Sequence, residues 1–198
     1  MATSYLTRTI GTPTDTKKWT FSAWIKSAAS AGDEGIMQMG PSTDFTHVNF
    51  SAGGIEVTNK ISSSFVGRLV TSSKFRDPAA WYHCVVVFDS DNVTAGDRLR
   101  LYINGVELTA SEFGTDTNPT SGEESGFQDG TDITIGLAGG TYYWLGNMAH
   151  VHLCDGQAYA ASDFGETDAT SGIWIAKSAP SVTYGDEGFF LEFAAGAH

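Results

Sequence analysis

The sequence predicts an all-β fold, a two-sheet antiparallel β-sandwich of the jelly-roll kind. Three observations lead there: strands of unbroken two-residue alternation, an Asn-Gly turn joining two of them, and a composition rich in glycine and poor in charge. In Arg98-Leu99-Arg100-Leu101-Tyr102-Ile103 the residues Leu99, Leu101 and Ile103 face one way and the other three the opposite way. Asn104-Gly105 follows, the dipeptide that tolerates positive φ at both central positions of a type I′ turn, and Val106-Glu107-Leu108 resumes the strand pattern. The chain of 198 residues holds 23 Gly and is only 17% charged, which suits many short strands joined by tight turns.

The other elements follow from the same rules. Residues 81–88 are apolar on both faces and β-branched in the middle, as a strand central to a sandwich should be. Further strands are expected at 19–25, 35–39, 45–50, 55–58, 65–71, 132–137, 142–153 and 188–193, punctuated by Gly53-Gly54, Asp77-Pro78, Asp129-Gly130, Gly139-Gly140 and Asp155-Gly156. Residues 160–164 alone hint at a helical turn. Residues 90–97 and 110–130 read as long loops, the second nearly empty of aliphatics. One domain spanning 1–198 accommodates all of this around one core.

Eleven Lys+Arg against 23 Asp+Glu give a formal charge of -12, which repels phosphate backbones, so nucleic acid is not an expected partner. The N-terminus lacks a basic stretch before an apolar run, and no segment approaches the ~18 apolar residues of a membrane helix. A protein without a secretory signal and without membrane insertion is expected. Cys84 and Cys154 each sit in an apolar strand-like run and read as buried free thiols, with a disulfide open only if their strands are neighbours.

Tyr142-Tyr143-Trp144 follows Gly139-Gly140-Thr141 at a strand edge. Alternation sends Tyr142 and Trp144 to one face and Tyr143 to the other, so at least one ring should be exposed, free to stack on a sugar or seal a protein interface. These three are the candidate ligand-binding residues. Packing beneath the glycine turn is the competing reading. Trp19, Trp24, Trp81 and Trp174 are assigned to packing.

Several segments together carry a resemblance. Trp19-Thr20-Phe21-Ser22-Ala23-Trp24-Ile25-Lys26, Phe75-Arg76-Asp77-Pro78 before Trp81-Tyr82-His83, Leu101-Tyr102-Ile103-Asn104-Gly105 and Gly146-Asn147-Met148-Ala149-His150-Val151 resemble the laminin-G/pentraxin/concanavalin-A-like superfamily. Toward the C-terminus, Asp155-Gly156-Gln157-Ala158, Ser162-Asp163-Phe164-Gly165-Glu166-Thr167-Asp168, Gly172-Ile173-Trp174-Ile175-Ala176-Lys177 and the run from Tyr184 through Phe193 look like a module of tailed-bacteriophage virion proteins, marine and cyanobacterial phages above all. The resemblance implies a non-enzymatic virion structural protein, assembled in a bacterial cytoplasm. Capsid decoration or another externally displayed particle component comes first, with virion subunits and a host surface glycan as partners and a homo-oligomeric state. A carbohydrate-binding lectin-like domain or tail-fibre tip is the alternative, and a polysaccharide-cleaving enzyme the next.

The chemistry-bearing residues weigh against the enzyme. Retaining glycan hydrolysis needs two carboxylates about 5 to 5.5 Å apart, which a strand supplies at alternating positions. No strand offers them, and Glu166 and Asp168 fall in a Gly/Thr-rich segment suited to turns and caps. His150 and His152, two apart, share a strand face and with a third ligand would suit a metal, but neutral hydrogen-bonded histidines are the expectation. Calcium, which many members of the resembled superfamily hold in acidic loops, has Asp89, Asp91 and Asp97 near one loop and Asp116, Glu123, Glu124, Asp129 and Asp132 near another. The default is a solvated acidic surface without a cofactor.

Overall fold

The structure, a computed structural model, describes residues 4–28 and 32–193. Its strands are β1 (Leu6–Thr9), β2 (Lys18–Ser27), β3 (Asp33–Met39), β4 (Phe45–Ser51), β5 (Gly54–Ile61), β6 (Ser64–Thr71), β7 (Tyr82–Asp89), β8 (Leu99–Ile103) and β9 (Val106–Glu107). They continue with β10 (Phe113–Thr117), β11 (Asp132–Ile135), β12 (Leu137–Ala138), β13 (Tyr142–Tyr143) and β14 (Gly146–Asp155). A turn of α-helix, α1 (Ala161–Phe164), precedes β15 (Gly165–Thr167), β16 (Trp174–Ala176) and β17 (Phe189–Leu191), and short 3-10 turns lie at Ala95–Asp97 and Ala110–Glu112.

Two antiparallel sheets form a sandwich. One has seven strands in the order β1-β11-β3-β4-β5-β6-β10, the other six in the order β17-β14-β2-β7-β8-β9. Alternation turns Met37, Met39, Val48, Phe50, Ile55, Val57 and Leu69 of the first sheet onto Phe21, Ile25, Val86, Phe88, Leu101 and Leu153 of the second, all buried in one cluster. Burying each such side chain contributes about 1.5–3 kcal/mol, which makes this layer the main source of stability. Trp19 and Phe88 stack within it at 5.5 Å.

Cys84 and Cys154 are both free and buried, but on opposite faces. Cys84 packs in the core, Cys154 on the outer side, and β2 lies between their strands. A disulfide between them has no geometry to form.

A second cluster lies outside the six-stranded sheet. Val85, Val87, Tyr102 and Cys154 are covered by Tyr159, Ala161, Phe164, Trp174, Val182 and Tyr184 of the C-terminal segment. This segment is a strap: it crosses the sheet as α1 and the β15–β16 ladder, then returns to pair β17 with β14. Among the described residues no helix is long and apolar enough to cross a membrane.

The structure differs from expectation in three places. The segment 110–130 is not one loop, because Phe113–Thr117 pairs with β6 at the edge of the seven-stranded sheet. The remainder is anchored by buried Phe127 and by Ser125, whose hydroxyl accepts the Trp19 indole N–H at 3.1 Å. The strand expected at 142–153 is broken at Trp144 and Leu145, so that β13 pairs with β12 and β14 with β2. Strands β1, β15 and β16 were not expected, since none has enough alternating apolar residues to stand out.

Candidate functional site

The seven-stranded sheet turns a polar surface outward. His47 and Asn49 of β4 lie opposite Thr58 and Glu56 of β5, and Thr58 lies opposite Arg68 of β6. Arg68 Nε donates to Glu56 Oε1 at 2.9 Å, and the Thr58 hydroxyl donates to the same oxygen at 2.9 Å. Asn49 is only 5% exposed, and its Oδ1 has no partner among the described residues; neither has Nδ1 of His47 beside it. Buried polar atoms left without partners cost about 1–3 kcal/mol each, and both of these are shut off from solvent. Burial pushes the His47 imidazole down to about 4, partly offset by Glu56, so it is neutral at physiological pH.

Aromatic rings flank this surface. Phe45 stacks on His47 at 4.8 Å, and Phe65, 58% exposed, lies under both Lys60 and Arg68 at 5.9 and 5.3 Å. Such cation–π contacts hold long side chains flat against the sheet. On an acidic chain this corner is locally basic.

The opposite margin is a wall formed by the β12–β13 hairpin. Gly35 of β3 faces outward opposite Asn49, and a Cβ there would stand 2.1 Å from Ala138 N. Only glycine lets the hairpin lie down on β3. Gln38 Oε1 accepts the Gly139 N–H at 2.7 Å and fixes the hairpin tip.

The three residues expected to bind ligand separate here. Tyr142 is 40% exposed on the hairpin, Tyr143 is half-buried and 6.2 Å from Tyr5, and Trp144 is buried with its ring edge-on to Phe50 at 6.1 Å. Tyr142 and Trp144 therefore do not share a face, because the chain leaves the ladder after Tyr143. Leu145 is held by Glu34, which accepts its N–H at 2.9 Å and the Ser27 hydroxyl at 2.9 Å; burial raises the Glu34 pKa above the usual carboxylate range. Trp144 instead lines a groove of about 750 Å³ at the end of the sandwich with Tyr5, Leu6, Ile135 and Met148.

The histidines sit on the other sheet. His83 is buried, with Nε2 2.9 Å from the Ser22 hydroxyl, a pairing that resembles a nucleophile and its base. Trp174 Nε1 donates to Nδ1 of the same ring at 2.9 Å. An indole only donates, so the imidazole proton sits on Nε2 and points at Ser22. The ring therefore cannot take the serine proton, and burial pushes its pKa down to about 3. Alternation does not govern His150 and His152: a bulge separates them and His150 has φ 47°. Both rings still lie against Phe190, at 6.0 and 4.3 Å, and His152 Nδ1 is 2.9 Å from the Tyr184 hydroxyl.

The acidic loops are dispersed. Asp89 lies 3.6 Å from Lys18, Glu124 accepts the Thr16 hydroxyl, Glu123 that of Thr120, Asp116 the Asn118 amide, and Asp132 the Thr9 hydroxyl. Among the described residues no three His, Cys, Asp or Glu side chains converge as a metal site requires. Glu166 lies in β15, and Asp168 caps a turn through Ser171, which keeps its pKa below the usual range. The polar face of β4, β5 and β6 was not singled out from sequence. The signal available was the outward set His47, Asn49, Glu56, Thr58 and Arg68 on consecutive hairpin strands.

Solved structures of similar fold include a heptameric SAP-like pentraxin from Limulus polyphemus, 17% identical, covering 88% of this chain and 86% of that one at a TM-score of 0.56. The CBM40 domain of a Ruminococcus gnavus sialidase is 13% identical, with 80% and 95% covered and a TM-score of 0.53. Domains LG4-5 of the mouse laminin α1 chain are 9% identical, with 96% and 44% covered and a TM-score of 0.52. No curated protein matches the sequence significantly. The sequence signature described as the concanavalin A-like lectin/glucanases superfamily, in its laminin-G form, matches residues 2–162, and with the sandwich above it shows that the chain belongs to this superfamily.

Proposed function

We propose that the chain is a carbohydrate-binding, lectin-like module that reads a glycan on the outer face of its seven-stranded sheet and does no chemistry on it. The observation that carries this is the row of polar side chains His47, Asn49, Thr58, Glu56 and Arg68 on one sheet face, flanked by the exposed rings of Phe65 and Tyr142. A sugar presents hydroxyls to planar polar groups and C–H faces to rings, and it meets both needs at once. A carbohydrate-binding module of a sialidase among the structures of similar fold supports the reading. Glu56, the carboxylate at the centre of the face, is engaged as an acceptor by Arg68 and Thr58, and this argues for binding over hydrolysis.

A labelled sample of the protein on a glycan array, followed by calorimetry on the hits, tests this. Asn49→Ala and Arg68→Ala are expected to weaken binding tenfold or more. An empty array, or affinity untouched by both changes, would overturn it.

A second reading places this module outside a phage particle, as a capsid decoration protein or tail component that contacts other virion subunits and a host glycan. It is supported by the strap, since most of the segments between residues 155 and 193 that resemble the phage module lie in it. Co-sedimentation with purified particles at a fixed copy number is expected. Absence from every particle fraction would refute it.

A further inference from the structure

Register sets outward side chains of β4, β5 and β6 in two adjoining rows. Phe45, Lys60 and Phe65 stand opposite one another in the first, and His47, Thr58 and Arg68 in the second. The Lys60 ammonium reaches both rings of its row, 5.4 Å from the centroid of Phe45 and 5.9 Å from that of Phe65, and the Arg68 guanidinium lies 5.3 Å from Phe65. Two cations from neighbouring strands thus meet at one ring. Arg8, Lys17 and Lys18 each have a carboxylate partner, whereas Lys60 has none among the described residues. Arg68 donates only Nε to Glu56, so the two terminal nitrogens of its fork have no acceptor among the described residues. Glu56 is the acid of the next row, Asp44 is turned to the Ser62 N–H, and His47 is neutral. Lys60 and Arg68 against Glu56 leave one positive charge in excess, on a chain whose formal charge is -12.

We propose that this corner holds the carboxylate of an acidic sugar, a uronic or sialic acid residue of the glycan, between Lys60 and Arg68. The inference rests on reading this face as a glycan site and names the class of sugar it takes. A carboxylate is planar and accepts two parallel hydrogen bonds from the open edge of a guanidinium. A sugar hydroxyl brings a lone pair to these donors but no countercharge, whereas a carboxylate brings both. The two cations are already laid against rings, so fixing them on a sugar costs less side-chain freedom than ordering extended chains would. Glu56 does not oppose the anion with a bare charge, because Arg68 and Thr58 both donate to it.

The test titrates the ¹⁵N-labelled 198-residue chain with methyl β-D-glucuronide, with the methyl glycoside of N-acetylneuraminic acid, and with the methyl ester of the glucuronide, which keeps the ring and lacks the charge. Saturable shifts of β5 and β6 amides are expected with one or both acids, at an affinity about tenfold above that of the ester and falling as salt is added. Which acid binds separates a uronic from a sialic residue. Lys60→Gln should weaken binding of the acid about fivefold and leave the ester unchanged, and Lys60→Arg should restore it. Equal affinity for acid and ester, no response to Lys60→Gln, or binding of methyl glucoside 6-sulfate in place of both acids would overturn the proposal. If neutral glycans bind on the array and respond to Asn49→Ala while neither acid binds, the glycan-reading face stands and the acidic sugar falls. If no glycan binds at all, both fall together.

Discussion

Asp155 and Thr14 are 141 residues apart, yet Oδ2 of the buried Asp155 carboxylate accepts the Thr14 backbone N–H at 2.7 Å. The same carboxylate accepts the N–H groups of Asp15 at 3.1 Å and Glu187 at 3.1 Å, joining the segment before β2 to the strap before β17. In Asp155→Asn, an amide nitrogen would face an N–H in place of an oxygen. The expected loss is about 2–3 kcal/mol, because hydrogen bonds to charged acceptors are the strong ones. Urea unfolding measures it, and faster amide exchange in β17 localises it.

Three buried imidazoles make stability depend on mild acid. Burial pushes His83 down to about 3 and His47 and His152 to about 4, from an ordinary value of 6.5. The folded chain then refuses protons that the unfolded chain takes up below about pH 6.5, so the stabilisation is present above that pH and is lost as pH falls toward the folded values. Between about pH 7 and pH 5 the loss is at most about 2 kcal/mol for each histidine. Denaturant midpoints across this range check it, and His83→Asn should flatten part of the slope.

Gly35→Ala should lift the β12–β13 hairpin. The added Cβ would meet backbone at Ala138 N and, at 2.6 Å, at Tyr142 O, neither of which can rotate away. Overpacking of this kind costs roughly 1–3 kcal/mol. Loss of stability accompanied by an altered near-ultraviolet tyrosine signal is the expected result, and glycan affinity should fall with it.

Neither thiol should react while the protein is folded. Burial pushes both Cys84 and Cys154 up to about 12, Cys154 with help from Asp163, and the thiolate is the reactive form. Ellman's reagent should find no thiol in native protein and both in guanidinium. A value below two after denaturation without reductant would show a disulfide.

The fold was legible wherever local chemistry decides. Asn104 and Gly105 have φ 50° and 84°, as the hairpin expected from that dipeptide requires, and the register pairs Ile103 with Val106. Strand β10 was not legible, because Phe-Gly-Thr-Asp-Thr has no apolar alternation and becomes a strand only through the free edge of β6. The candidate sites were less legible. Trp174 looks like a core residue, and nothing local to it says that the strap will set it against His83. The outward histidine, asparagine and arginine of β4 to β6 are unremarkable singly and meet only through register.

The superfamily signature ends at residue 162, inside α1, while the chain goes on to shield the sheet through Leu191. Anyone grafting this sandwich into another polypeptide and trimming at the signature boundary would bare Val85, Val87, Tyr102 and Cys154 as one oily wall and strip His83 of its indole donor. Such a graft would be expected to precipitate or to recruit foreign surfaces to that wall. Residues 163–191 therefore belong to the transplantable unit.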